Sequence, residues 1–152
     1  GGGTIVSRQK SRSLAPEQLE ALLVIKGVHF INLQYDAAST ELRRFDCIAP
    51  AVVYDFPEAH AEYDETAALV GALDLVISVC TAVIHLSGAL GKPTWVLTPR
   101  SAEWRYGCTG EEMPWYPSVH VLRQRMRGNW EWPLSEAARR LAMLAWRGSD
   151  LT

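Results

Sequence analysis

A chain of 152 residues, 48% hydrophobic and 21% charged, can bury roughly 70% of its unfolded surface, which supports one complete core and a single domain. Its formal net charge of -2 gives no overall electrostatic reason to bind nucleic acid or an anionic membrane. No run approaches the ~18 consecutive apolar residues of a membrane-spanning helix, so membrane insertion is not expected.

The N-terminal run Gly1-Gly2-Gly3-Thr4-Ile5-Val6 lacks the charged-then-apolar order of a signal peptide and reads as a domain boundary leading into a short strand at 5–7. A polar, basic loop with Arg8, Lys10 and Arg12 follows. Pro16 suits the first turn of a helix, Leu19, Leu22 and Leu23 form its apolar face, and Gly27 is expected to stop it. Residues 28–33 read as a buried strand, 38–44 as a short helix, 51–54 as a third strand and 56–63 as loop. Asp64 is the expected N-cap of a helix whose face is Thr66, Leu69, Val70 and Leu73.

The run 75–79 is apolar and continuous, as in a central strand. A turn at Cys80 and Thr81 leads into a helix over 82–90, which Gly91-Lys92-Pro93 ends before a buried strand at 94–97. The unit has the size of a right-handed βαβ crossover. Residues 98–117 form a loop longer than the ~12–15 residues usual in a compact domain. Its Trp104, Tyr106, Trp115 and Tyr116 predict that it is ordered, with Trp115-Tyr116-Pro117 bracing the turn before a last strand at 119–122. Leu134, Ala138, Leu141 and Ala145 mark a closing helix with Ser135 near its start. This alternation predicts a Rossmann-like α/β fold, a doubly wound parallel sheet covered by helices.

In such a sheet, ligands bind beyond the carboxyl ends of the strands. Four polar clusters belong there: Arg8 to Arg12, Gln34-Tyr35-Asp36, Ser78 to Thr81, and Thr98 to Arg105. The Ser78–Thr81 turn is the natural anion site, because free N–H groups and the positive end of the helix dipole meet there. His85, four residues after Thr81, lies on the same helix face. The plainer alternative makes Thr81 a helix cap and His85 a core histidine. Lys10 and Arg12 can supply phosphate-binding charge or simply be solvated, and Trp104 with Arg105 can clamp a nucleotide or anchor the loop.

Cys47, Cys80 and Cys108 are odd in number and form no CxxC pair, which argues for a reducing, cytoplasmic setting. The four histidines have no metal-type spacing, and neither G-x-G-x-x-G nor G-x-S-x-G is present, so no metal, dinucleotide cofactor or serine triad is expected.

The run from Asp74 to Leu97, D-L-V-I-S-V-C-T-A-V-I-H-L-S-G-A-L-G-K-P-T-W-V-L, resembles the heptosyltransferase-like glycosyltransferases. The likeness is nearest to the C-terminal domain that follows tetratricopeptide repeats in bacterial proteins. Arg12-Ser13, Trp104-Arg105, Trp115-Tyr116-Pro117-Ser118 and Val121-Leu122-Arg123-Gln124 with Gly128-Asn129-Trp130 extend it. The resemblance implies the nucleotide-sugar-binding half of a metal-independent GT-B enzyme, with no cofactor beyond its nucleotide diphosphate sugar. Its acceptor domain or tetratricopeptide repeats would lie elsewhere. Carried over by position, Thr81, Ala82 and His85 would line the diphosphate pocket, with Lys10 or Arg12 supplying positive charge; Ser78 and Cys80 of the same turn, with Trp104 and Arg105, complete the candidate nucleotide- and diphosphate-binding set. Two departures bear on transfer more than on fold. Cys80 stands where the family usually has Asp, and Ser7-Arg8-Gln9 replaces a W-x-G stretch. They also leave room for a non-catalytic scaffold domain or, through Cys80 or Ser78, a small hydrolase.

Overall fold

The structure is a computed structural model that describes residues 13–34 and 53–149. The expected strand at 5–7, the helix at 38–44, the cations Lys10 and Arg12, and Tyr35, Asp36 and Cys47 lie outside the described residues.

The fold is mixed α/β, with parallel strands in two small sheets. Strand β1 (Phe30–Ile31) pairs with β2 (Val53–Tyr54). Strands β3 (Val76–Val79), β4 (Thr94–Thr98) and β5 (Val119–Arg123) form a second parallel sheet in the order β3-β4-β5. The middle position belongs to β4, whose five residues are all buried. Among the described residues β3, expected as central, pairs on one side only, with β4. An apolar run shows that both faces are covered, but it carries no information on how many edges are paired.

The two-residue alternation of the strands sorts their side chains onto opposite faces. On one face Trp95, Leu97 and Leu122 pack with Leu22, Trp130, Leu134, Ala137 and Leu141. On the other, Val96, Val119 and Val121 pack with Cys80, Ile84, Tyr106 and Met113. A third cluster of Val70, Val76 and Leu86 joins neighbouring helices to β3. Complete burial of a side chain such as Ile84 stabilises the fold by roughly 1.5–3 kcal/mol. A charge placed at Val96 would strip packing from the second cluster and strand an ion in it.

The first helical segment is a 3-10 turn, Pro16–Leu19, running into α1 (Glu20–Leu23). Gln18 Oε1 accepts from Ala15 N at 2.9 Å and fixes its start. The helix ends before Gly27, because the Ile25 N–H closes on Leu22 O and turns Ile25 onto the core. The expected loop at 56–63 contains a short helix, α2 (Glu58–Ala61), followed by α3 (Tyr63–Ala72). Glu62, not Asp64, occupies the N-cap position of α3. Thr66 Oγ1 reaches Ala59 O at 2.6 Å and Glu62 O at 3.2 Å, so a hydroxyl expected only on an apolar face pins the two helices together.

Helix α4 (Ala82–Ala89) leaves the carboxyl end of β3 and ends at Leu90 and Gly91, whose φ of 68° suits the left-handed turn back to β4. Helix α5 (Glu131–Ser149) follows β5. Asn129 Oδ1 accepts from Glu131 N at 2.7 Å at its start, and Pro133 sits in the first turn, where a missing N–H costs nothing. Among the described residues no helix is long and apolar enough to cross a membrane.

Candidate functional site

The carboxyl ends of β3 and β4 bring the expected anion turn and the long aromatic loop together. Ser78 Oγ and Thr81 Oγ1 stand 3.1 Å apart in a hydrogen bond. Thr81 occupies the N-cap position of α4 with extended backbone, yet its hydroxyl makes no capping bond. The N–H groups of a helix's first turn have no carbonyl partners within the helix. The turn therefore presents two hydroxyls beside a positive dipole end at Ala82.

His85 is one turn along α4. Its ring lies 5.9 Å from that of Tyr116, edge to face, and 6.3 Å from that of Tyr106. Burial, then the Arg105 guanidinium, hold its pKa below the ordinary histidine value, while Glu103 opposes them. The imidazole is accordingly neutral at pH 7 and can offer one N–H and one lone pair. Tyr116 gains its place because Gly88, three residues after His85, leaves room for it. A Cβ at Gly88 would fall 2.5 Å from Tyr116 Cγ.

Arg105 is held by Glu103, whose Oε2 accepts from Arg105 Nε at 2.8 Å and also from Nη2. Both belong to the turn around the 3-10 helix Trp104–Tyr106. Trp104 is 75% exposed and meets Trp115, 57% exposed, edge to face at 5.9 Å. Neither ring is therefore the internal brace of the loop. That work falls to Tyr106, only 2% exposed, and to Tyr116.

Cys80 behaves differently from its neighbours in the turn. It is 5% exposed, its Sγ lies 3.9 Å from Leu97 O in a long S–H···O contact, and it hydrogen-bonds with the Tyr106 side chain. Burial, reinforced by this thiol, pushes the Tyr106 hydroxyl above the ordinary tyrosine range. Cys80 is thus part of the floor beneath the turn. A nucleophile needs access and a stabilised thiolate, and this thiol is packed among Ile84, Val96 and Tyr106.

Ser78, Thr81, Ala82, His85, Trp104 and Arg105 therefore gather at one edge, with Cys80 under them. The arrangement can bind an anion through hydroxyls, backbone N–H groups, a neutral imidazole and a guanidinium. Among the described residues no group of three or more His, Cys, Asp or Glu side chains is placed to hold a metal. Sequence reasoning missed Glu103, which orients Arg105, and Arg123, whose Nη2 donates to Tyr106 O at 2.8 Å and Gly107 O at 3.1 Å. A signal for Arg123 was present. Two-residue spacing from Val119 and Val121 puts it on the strand face that carries them.

Over 130 residues the chain is 38% identical to a Caulobacter vibrioides protein described as Protein FlbA, an alignment covering 83% of this chain and 21% of that protein. The chain thus spans about a fifth of the length of this curated relative. No protein-family model matches the chain, and no solved structure matches it.

Proposed function

We propose that this chain is the Rossmann-like half of a GT-B glycosyltransferase and binds the diphosphate of a nucleotide sugar at the Ser78–Thr81 turn. The supporting observation is the convergence of that turn with His85 and Arg105 at the carboxyl edge of a parallel sheet. Hydroxyls and first-turn N–H groups donate to the phosphate oxygens, and Arg105 offsets charge developing on the leaving diphosphate. Such a site needs no metal to neutralise its ligand. Trp104, exposed beside Arg105, offers a flat face for the base. The acceptor and the general base come from another domain, in keeping with a relative whose length this chain covers only in part. On this reading the chain works in the cytoplasm, where nucleotide sugars serve as donors.

A second reading, a domain that keeps the fold and serves as a scaffold beside tetratricopeptide repeats, is favoured by Cys80. Where the resembling family has an acid, this chain has a thiol committed to the core. Calorimetric titration with uridine, guanosine and adenosine diphosphates and their sugars separates the two. The donor reading expects saturable heat with at least one of them. Absence of heat with all of them removes it and leaves the scaffold.

A further inference from the structure

Arg123 is the last residue of β5, directly opposite Thr98 at the carboxyl end of β4. Its guanidinium spans the underside of the Trp104–Tyr106 turn and donates from Nη2 to the carbonyls of both Tyr106 and Gly107. No salt bridge to Arg123 is found among the described residues, and its Nε is buried without a hydrogen-bond partner. The Thr98 hydroxyl on the facing strand is likewise buried and unpartnered. Half-burying a guanidinium without a carboxylate, with its buried Nε–H unsatisfied, is a net cost to stability. An apolar side chain of similar volume avoids it. What the guanidinium supplies and an apolar chain does not is a fixed position for two carbonyl oxygens.

Those two carbonyls end the segment that carries the site's cation. Gly107, at φ 66°, lets the chain reverse there. Tyr106 is locked from the other side by burial and by Cys80. Between these anchors the backbone of Trp104 and Arg105 has little freedom, so Arg105 is held where its charge acts on His85. We infer that Arg123 is a positioning residue for the diphosphate site, holding the Trp104–Tyr106 turn so that Arg105 stands beside His85 without itself touching the ligand. This rests on the donor reading for its functional meaning, but its geometric content can be tested without any ligand.

The test compares the wild-type chain with Arg123→Met, which keeps the volume and loses the donors. A parallel Arg123→Leu variant also removes the donors, and it carries the test if the methionine variant does not fold. His85 is followed by proton NMR as a function of pH, and inorganic pyrophosphate and uridine diphosphate are titrated by calorimetry. Release of the turn moves Arg105 away together with Glu103, whose smaller opposing effect goes with it. His85 is therefore expected to titrate somewhat nearer the ordinary histidine range in both variants, its burial keeping part of the shift. Affinity should fall roughly tenfold or more, as for loss of one charge-assisted contact. Adding Arg105→Ala to either variant should produce little further loss, since both changes remove the same interaction. An unchanged His85 titration in a folded variant overturns the inference, as does a loss that simply adds to that of Arg105→Ala. If the wild type binds neither probe, the donor reading fails, and the His85 titration alone still decides the role of Arg123.

Discussion

Gly88 and Tyr116 show how closely one residue's size is tied to the site. Gly88 is buried on α4, and the Tyr116 ring occupies the space its missing side chain leaves, with its edge toward His85. Because the atoms met are Tyr116 Cβ and Cγ rather than the tip of the ring, rotation of the ring alone cannot relieve the clash. Gly88→Ala is expected to destabilise the fold by about 1–3 kcal/mol, as overpacking does. In a Tyr116→Gly background, which removes the Cβ as well as the ring, the sign should reverse, since alanine favours a helix over glycine by up to about 1 kcal/mol. Urea denaturation of the four proteins checks this, and a destabilising Gly88→Ala in both backgrounds would contradict the contact. Cys80 makes the same point for chemistry. As a letter in a motif it stands in the turn expected to meet phosphate, yet its thiol is spent on Leu97 O and Tyr106.

At the scale of elements, the closing helix depends on charge as well as on its apolar stripe. Glu136 accepts from Arg139 Nε at 2.9 Å and from Arg140 Nε at 2.6 Å, and Arg140 Nη2 reaches Glu111 at 2.8 Å, tying α5 to the loop before β5. The hydrogen bonds from Arg139 and Arg140 bring the Glu136 carboxyl down to about 2. A carboxyl lowered on folding contributes stability that is fully present above its unfolded value, near 4.3, and lost as pH falls toward the folded one. Glu136→Gln should therefore be less stable than wild type at pH 7, with the difference shrinking between about pH 5 and pH 2. Denaturation midpoints at pH 7 and pH 3 measure it, and a difference that does not shrink contradicts the assignment.

These elements also show what the sequence can carry. The run Thr94 to Leu97 declares its burial through unbroken apolar and β-branched residues, and the structure buries all four. Helix α4 is bounded by Thr81 and Gly91 much as expected. The short α2 helix escaped, because one turn of helix between Pro57 and Glu62 has too few residues to show a period. It is held by the Thr66 hydroxyl, a tertiary bond. In the site, Ser78, Thr81 and His85 follow from local spacing. Spacing puts Arg123 on its strand face, but its role and that of Glu103 depend on which loop crosses which strand end.

At the scale of the whole molecule, two parallel sheets with helices on both faces of the larger one place a hydroxyl-lined helix terminus, a neutral histidine and a guanidinium at one edge. Buried Cys80 and Tyr106, with half-buried Arg123 bonded to the Tyr106 carbonyl, lie beneath them and set the height of the aromatic loop. On the proposed donor reading, binding and transfer separate at this scale: this chain holds the donor, while transfer needs an acceptor presented from elsewhere. On the donor reading, the molecule is defined by where the diphosphate binds. Backbone amide NMR during titration with a nucleoside diphosphate tests it most directly. Binding at the proposed site predicts saturable shifts concentrated at Thr81, Ala82, Val83, His85 and Arg105. Saturable shifts confined to residues away from the carboxyl ends of β3 and β4, or no shifts at all, would contradict it.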